Sequence, residues 1–453
     1  MFYRSLFTCI VFSSACLSAA ELNTDTQNPN DVLDATADFE IDEMMTPESN
    51  DPIDSKVPEF IQDKDFRLSF AQQVGLNLND FNEIVSNRFD TRLRWEKLLK
   101  EQWYFSFDGK VILRLKGDDQ IQSDDDIAAD VRLRDFNFQS QFEQLSVKAG
   151  FQTIIWGEMD SVAINDIMTP WDYSEFAFTT PEDARLGQAA IVASYFQKES
   201  SLTLVYTPYP LANSFPGGEA SALLEQVLGT SNYRVEEDFP RPGKDYELGV
   251  RFKHTVGSSD IALYAAQVLS DFPQFDMTSP QTATTPEFDI SYPQYELAGF
   301  SINYSSGSFL WKYETALKNN VYFPGSSVNF RDTFENAIGF DYSSNTQYNA
   351  TIEVYNQTIL NDEGDLDGYK KNNTQIVGRW SKNFFHETLS AIYYVSYQFQ
   401  FEDVTQSLAL QYAVNDFWRI DLNATVFNIN NTDSPNSFID DWDQISVRVT
   451  YDL

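Results

Sequence analysis

Cysteine is almost absent from this sequence. Its two cysteines, Cys9 and Cys16, both lie within the first twenty residues. These residues predict a secretory signal peptide, because Arg4 precedes an apolar run at residues 6–17 and small side chains follow it up to Ala20. Cleavage near Ala20 would leave a chain without disulfides or thiolate metal sites. An exported protein of this kind fits the envelope of a Gram-negative bacterium better than a disulfide-rich secreted scaffold.

Long hydrophobic runs are also missing. Beyond residue 20, no stretch reaches the ~18 consecutive apolar residues of a membrane-spanning helix. Any crossing of a membrane would therefore depend on β-strands, whose alternating pattern is weaker in each segment. Aromatic residues, in contrast, make up 15% of the chain. This enrichment is typical of the aromatic girdles of membrane β-barrels, although an aromatic-rich secreted β-sandwich would share it.

Positive charge is the minority charge. The chain has 31 lysines and arginines against 68 aspartates and glutamates, and its formal net charge is −37. Because nothing offsets repulsion from phosphates at this balance, we predict that the protein does not bind nucleic acid. The acids concentrate in stretches expected to be solvated loops, such as 118–126 and 362–367, and the second stretch lacks the ligand spacing of an EF-hand. We therefore predict no metal site.

Residues suited to catalysis are few. The chain has only two histidines, His254 and His386, and neither lies in a motif of nucleophilic catalysis. Carboxylate pairs such as Glu158 and Asp160 could act as an acid and a base, but such pairs arise by chance in so acidic a chain. The sequence predicts no catalytic residue, no cofactor and no enzymatic activity.

The end of the sequence carries the clearest pattern. Residues 445–453 read ISVRVTYDL and alternate strictly between apolar and polar side chains. Period-2 alternation predicts a β-strand with one face for an apolar medium and the other for water. Pairing of this strand with the first strand would close a barrel and protect its edge. Tyr451 and Leu453 are then the expected signal for the outer-membrane barrel assembly machinery.

Similar alternation recurs from residue 66 onward, in segments of roughly 10 to 14 residues. Tight turn signals, such as Gly257–Asp260 and Ser305–Gly307, alternate with longer polar or acidic stretches, such as 208–244 and 271–293. This asymmetry is typical of outer-membrane barrels. We therefore predict an all-β fold, a transmembrane antiparallel β-barrel of about 16 to 18 strands with short periplasmic turns and long extracellular loops.

Changes in composition divide the chain. Residues 1–20 are the predicted signal peptide. Residues 21–65 are acidic and poor in aromatics, as expected for a disordered periplasmic extension that could dock on a periplasmic partner. Residues 66–453 form the predicted barrel, whose outer surface would contact outer-membrane lipid. An insert at about 157–185 interrupts the alternation of this barrel.

Basic residues cluster on the polar face of the early strands. The candidates for lining the lumen are Arg92, Arg94, Lys110, Arg114, Lys116, Arg132 and Arg134. One interpretation is a cationic stripe that attracts or orients an anionic solute. The other is an ion-pair network with inward acids such as Asp90, Asp108 and Asp130, which would hold the wall rigid.

The insert combines aromatic and charged residues. The candidates for a constriction within it are Trp156, Glu158, Asp160, Asn165, Asp166, Asp172 and Arg185. A long non-strand segment with these side chains is expected to fold into the barrel and narrow it. The alternative is an ordered extracellular loop without a gating role.

The insert also carries a family resemblance. The stretch 156–158 (WGE), followed by Asn165-Asp166, Pro170, Asp172 and a new strand, resembles a proteobacterial outer-membrane family of unknown function. The likeness to alginate-export-type porins is more distant. The resemblance implies a signal-bearing outer-membrane barrel linked to export or to lipid traffic, and it implies no particular substrate.

These observations together predict a location and a function. We expect a porin-like channel in the Gram-negative outer membrane for the passive passage or export of a solute or polymer, with an anionic solute favoured if the basic cluster is a stripe. The alternative function is a secreted or periplasmic carbohydrate-active β-protein, which would need an acid and a base paired in a cleft.

Overall fold

The computed structural model is a closed antiparallel β-barrel of eighteen strands. The structure describes residues 66–453 with gaps at 101, 122–125, 175–183, 216–233, 238–244, 279–284, 286, 324–329, 345–347, 362–368, 432–433 and 435. In the described part of the chain, no helix is long and apolar enough to cross a membrane. The predicted signal peptide and acidic extension lie outside the described residues and stay predictions.

The strands follow the chain order around the barrel. The barrel strands are β1 (Phe66–Asn77), β2 (Ile84–Lys100), β3 (Trp103–Leu115), β4 (Ile127–Phe142), β5 (Leu145–Gln152), β6 (Gln188–Gln197), β7 (Ser200–Tyr209), β9 (Glu247–Val256), β10 (Ser259–Leu269), β13 (Gln294–Ser306), β14 (Phe309–Tyr322), β15 (Phe330–Ser344), β16 (Tyr348–Ile359), β17 (Asn372–Phe384), β18 (Leu389–Gln398), β19 (Asp403–Ala413), β20 (Trp418–Asn428) and β21 (Gln444–Asp452). A small separate sheet holds β8 (Arg234–Glu237), β11 (Gln274–Met277) and β12 (Glu287–Ser291), and a short 3₁₀ helix spans Ser437–Ile439.

Side-chain alternation gives the barrel two different faces. On β14, Trp311 and Leu317 are exposed on the outer face, whereas Lys312, Glu314 and Ala316 are buried on the inner face. Because successive side chains of a strand point to opposite faces, each barrel strand contributes to both surfaces. The outer surface is therefore apolar and aromatic, and the inner surface is largely polar.

The barrel closes through its first and last strands. β1 pairs with β2 on one side and with β21 on the other, and Phe70 lies opposite Tyr451 in the second ladder. The Leu453 amide donates to the Leu68 carbonyl oxygen at 2.9 Å. Closure leaves neither strand with an unpaired edge. The alternating pattern of residues 445–453 predicted this pairing.

The two ends of the barrel differ in their connections. Short turns join β9 to β10 and β13 to β14, and each contains a glycine at positive φ, Gly257 at 63° and Gly307 at 62°. The connections at the opposite end are longer, for example residues 153–187 between β5 and β6. The predicted fold class and the asymmetry of its connections are confirmed.

Candidate functional site

The long connection between β5 and β6 packs against the inner face of the barrel. We call its described residues, 153–174 and 184–187, the inserted segment. Trp156 is 1% exposed, and Ile164 and Met168 are fully buried. They belong to one hydrophobic cluster with small inward side chains of the wall, namely Ala190, Val205, Ala262, Ala316 and Ala337. Small residues on this wall leave the volume that the segment fills.

A wall carboxylate holds the backbone of the segment. Glu314 on β14 accepts hydrogen bonds from the amides of Glu158 and Met159, the second at 2.9 Å. Its other oxygen accepts from the amide nitrogen of Asn165 at 3.4 Å and from the side-chain nitrogen at 3.2 Å. The carboxylate thus satisfies several donors of an irregular segment that has no ladder of its own.

A second carboxylate repeats the arrangement on β16. Glu353 accepts from the amides of Asp160 and Ser161, each at 2.9 Å. The Lys312 ammonium lies 2.7 Å from Asp160 and 2.7 Å from Asp341, so it joins the segment to the wall by a charged contact as well. Together these groups fix residues 158–165 against neighbouring strands.

Glycines on the wall allow the close approach of two side chains. A Cβ on Gly249 would lie 2.3 Å from the ring of Trp156, and a Cβ on Gly299 would lie 1.9 Å from the Asn165 side-chain oxygen. Any larger residue at either position would therefore displace the segment. The Trp and Asn of the sequence motif fit opposite these two glycines.

The remaining motif residues make contacts within the segment and with the neighbouring wall. Asp166 accepts from Arg185 at 2.5 Å and from the Trp156 amide at 3.0 Å, while the Arg185 guanidinium lies 4.5 Å from the centre of the Trp171 ring. Glu158 accepts from Asn303 of β13. The insert residues chosen from the sequence therefore all make contacts within the segment or with the wall, and their role as a constriction stays a prediction.

The basic candidates lie on the opposite part of the wall, on β2, β3 and β4, where acids surround them. Asp108 is shared by Arg92 at 2.6 Å, Arg94 at 3.6 Å and Arg134 at 4.0 Å. Asp90 is shared by Arg88 at 3.9 Å, Lys110 at 3.7 Å and Arg448. The same residues therefore form an ion-pair network in which two carboxylates each serve three bases.

Two further arginines of the cluster reach other partners. Arg114 lies 3.4 Å from Asp118 and 4.0 Å from Asp130. Arg132 lies 2.7 Å from Asp130 and 2.9 Å from Asp172 of the inserted segment. This last contact joins the basic wall to the segment, so the two candidate sets meet at Arg132.

Lys116 differs from the other basic candidates. It lies one residue beyond β3, in the connection to β4, and its side chain is 79% exposed. Its ammonium is 3.3 Å from Asp126. Because the strand has ended, period-2 parity no longer fixes the face to which the side chain points, and Lys116 lies at the end of the wall.

Several residues of these networks, among them Arg88, Arg448, Glu314 and Glu353, were not among the sequence-based candidates. Arg88 and Arg448 occupy inward-facing positions in the alternating pattern of their strands. The same pattern in the sequence could have identified both. Glu314 and Glu353 also lie at inward positions of alternating strands. Their partners are more than 140 residues away, and no local pattern marks such a pairing.

Several solved structures share this architecture at low sequence identity. A BenF-like porin from Pseudomonas fluorescens Pf-5 is 11% identical, with a TM-score of 0.51 over 87% of this chain and 99% of that chain. OpdK from Pseudomonas aeruginosa, solved with vanillate, is 9% identical, with a TM-score of 0.49 over 86% and 98%. Similarity at the level of the BenF-like porin supports the barrel fold alone. Among curated proteins, none matches the chain in sequence.

A family model covers most of the sequence. The model described as "Protein of unknown function (DUF1302)" matches residues 77–453, a range that contains the inserted segment and all barrel strands after β1. The resemblance predicted from the run beginning at Trp156 is thereby confirmed. The chain belongs to the DUF1302 family of proteins of unknown function.

Proposed function

We propose that this protein is a non-enzymatic, porin-like channel of the Gram-negative outer membrane. The observation that carries the proposal is the closed barrel with an apolar outer face and a polar inner face. Leu263 is 52% exposed, Ile338 58% and Trp311 47%, all on the outside of the barrel. Such a surface is costly in water and suited to lipid, and a closed ladder satisfies the backbone groups that lipid cannot.

The passage in this proposal runs between the inserted segment and the basic wall. The segment occupies the side formed by the small inward residues, which leaves the charged side to face the solute. A solute would therefore pass beside Arg94 and Arg134, whose side chains are 31% and 19% exposed.

The charge of this wall supports preference for an anionic solute. Three bases lie within 4.0 Å of Asp108, and three more lie near Asp90, so basic side chains are concentrated on this wall. Rings or stripes of one sign set the ionic selectivity of pores. In this proposal the ion-pair network and the cationic stripe are the same set of residues, whose ion pairs hold the wall rigid and whose basic side chains favour an anion.

Planar-bilayer recordings test both parts of the proposal. The purified protein should form channels whose reversal potential in a salt gradient indicates anion preference. The double variant Arg94→Gln, Arg134→Gln should lower that preference, because it leaves the shorter contact from Arg92 to Asp108 in place while removing charge beside the passage.

Lys116→Gln is the matched control, because it removes the same charge from an exposed position at the end of the wall. It should change the reversal potential much less. The absence of channels would contradict the channel itself. An unchanged reversal potential in the double variant would restrict the basic wall to a structural role.

In this proposal, the two ends of the chain direct the protein to the outer membrane. The signal peptide is removed near Ala20, and the assembly machinery recognises the last strand through Tyr451 and Leu453. Tyr451 packs against Trp418, with ring centres 4.8 Å apart, on the outer face. The acidic residues 21–65 would then remain in the periplasm, available to a partner there.

A further inference from the structure

A cavity of about 140 Å³ lies between the inserted segment and the wall formed by β13 to β16. It is near the end of the barrel that carries the long connections. Its aromatic lining comes from several parts of the chain, namely Trp171, Tyr173, Phe272, Tyr295, Tyr322 and Phe323. The volume suits a small organic molecule, and the connections that surround it come together only in the folded barrel.

The aromatic rings of this cavity are held by one another. Tyr173 lies 5.9 Å from Phe272 and 6.0 Å from Phe215, and the two phenylalanines are 5.7 Å apart, measured between ring centres. On the other side, Phe323 is 2% exposed and packs edge-on against Tyr369 at 5.2 Å. Three of the rings that line the cavity, Tyr173, Phe272 and Phe323, are therefore packed against other aromatic rings.

Two of the carboxylates that line the cavity form ion pairs with bases. Asp166 is paired with Arg185 at 2.5 Å, and Glu335 is paired with Lys318 at 2.7 Å. Asp271 also lines the cavity, and no ion pair joins it to any base within the described ranges. The cavity thus has one carboxylate for which the described structure offers no counter-ion.

The surroundings of Asp271 are unfavourable for a lone negative charge. Burial raises the pKa of the Asp271 carboxyl well above its usual range, and the nearby Glu247 carboxylate raises it further. A cation in the cavity would reverse both effects, because it supplies the opposite charge that desolvation otherwise makes costly.

We propose that this cavity binds a small organic ammonium ion, with the aromatic rings around its alkyl groups and Asp271 as its counter-ion. Aromatic faces attract cations through their quadrupole, and cages of this kind recognise quaternary ammonium groups. An anion would instead meet the carboxylates of Asp271 and Glu335. The proposal concerns binding and does not depend on transport.

Choline and its neutral isostere 3,3-dimethylbutan-1-ol distinguish charge from shape. We expect isothermal titration calorimetry on the full purified chain in detergent to show choline binding about tenfold or more tighter than the alcohol, which corresponds to ~1.4 kcal/mol. Asp271→Asn should remove most of this difference. Asp416→Asn, the same substitution at an exposed turn at the opposite end of the barrel, should preserve it.

A second variant and a pH series complete the test. Tyr173→Leu should weaken choline binding several-fold while leaving the carboxylate in place. Since the cation binds the ionised form of Asp271, affinity should rise as the pH rises through its elevated pKa, and binding should release protons that make the measured heat depend on the buffer. Equal binding of the alcohol, no binding of choline, unchanged binding in Asp271→Asn or Tyr173→Leu, or an affinity independent of pH would each overturn the proposal.

Discussion

At the scale of single residues, Glu314 connects the wall of the barrel to the inserted segment through four hydrogen bonds. Its two oxygens take hydrogen bonds from three backbone amides and one side-chain amide of the inserted segment. A buried carboxylate in this position replaces the ladder partners that an irregular segment lacks. The position of residues 158–165 therefore depends in part on a side chain that the sequence does not distinguish from other inward acids.

Glu314→Gln should loosen the inserted segment. An amide nitrogen replaces one acceptor oxygen, and each hydrogen bond to a charged acceptor is worth ~1.5–3 kcal/mol, so the segment should lose about 2–5 kcal/mol of its attachment. Single-channel conductance should rise and become noisier. Glu296→Gln, at an exposed position of β13, is the control and should leave both unchanged. Identical recordings from the two variants would show that Glu314 does not hold the segment in the passage.

At the scale of elements, the inserted segment and the wall behind it are complementary. The segment supplies bulky apolar groups such as Trp156 and Met168, and the wall supplies alanines and Gly249. Neither surface is complete alone, because the small wall residues would leave voids and the segment has no partner strand. If the segment narrows the passage as predicted, the width of the passage depends on how these two surfaces fit together.

Deleting Asp160 to Pro181, with a short Gly-Ser linker in their place, should raise single-channel conductance. The deletion removes Ile164 and Met168 from the lumen and also the contact of Asp172 with Arg132. The increase should exceed that of Glu314→Gln, which keeps the segment. The altered gel migration of unboiled protein relative to boiled protein provides the check that the variant is folded. A folded variant with wild-type conductance would mean that the segment does not narrow the passage.

At the scale of the whole molecule, the barrel inverts the usual arrangement of polar and apolar surface. Leu408 at the centre of β19 is 41% exposed on the outside, while its neighbour Ser407 faces inward. In water, an exposed leucine tolerates replacement by a charged residue. In lipid, the same replacement at mid-depth costs ~2–4 kcal/mol.

Leu408→Arg should therefore lower the stability of the barrel in lipid vesicles by about 2–4 kcal/mol, whereas Ser407→Arg should change it by less than about 1 kcal/mol. Urea unfolding followed by heat-modifiable gel migration measures both. Equal stability of the two variants would contradict a lipid-facing outer surface. The pair is matched because adjacent residues on one strand differ chiefly in the face they occupy.

Some features follow from the sequence because they depend on local spacing. The apolar and polar alternation of residues 445–453 is sufficient to predict a closing strand, and the same pattern with its turn signals predicts the barrel, the alternation of short and long connections, and the inward parity of Arg92 and Lys110. The run beginning at Trp156 is specific enough to indicate the family. Period-2 geometry makes all of these predictions possible without knowledge of distant contacts.

Other features depend on contacts that only the closed barrel creates. Asp108 meets three arginines from two strands, Glu314 meets amides some 150 residues earlier in the chain, and Asp271 faces rings from separate connections. Lys116 shows where alternation stops being informative, because β3 ends at Leu115 and the strand pattern does not determine the direction of the next side chain. The sequence by itself determined which face each strand side chain occupies, because that is a property of neighbouring residues. Only the tertiary structure decided which charges share a partner and where a cavity remains, because those depend on closure and on the path of a segment without regular structure.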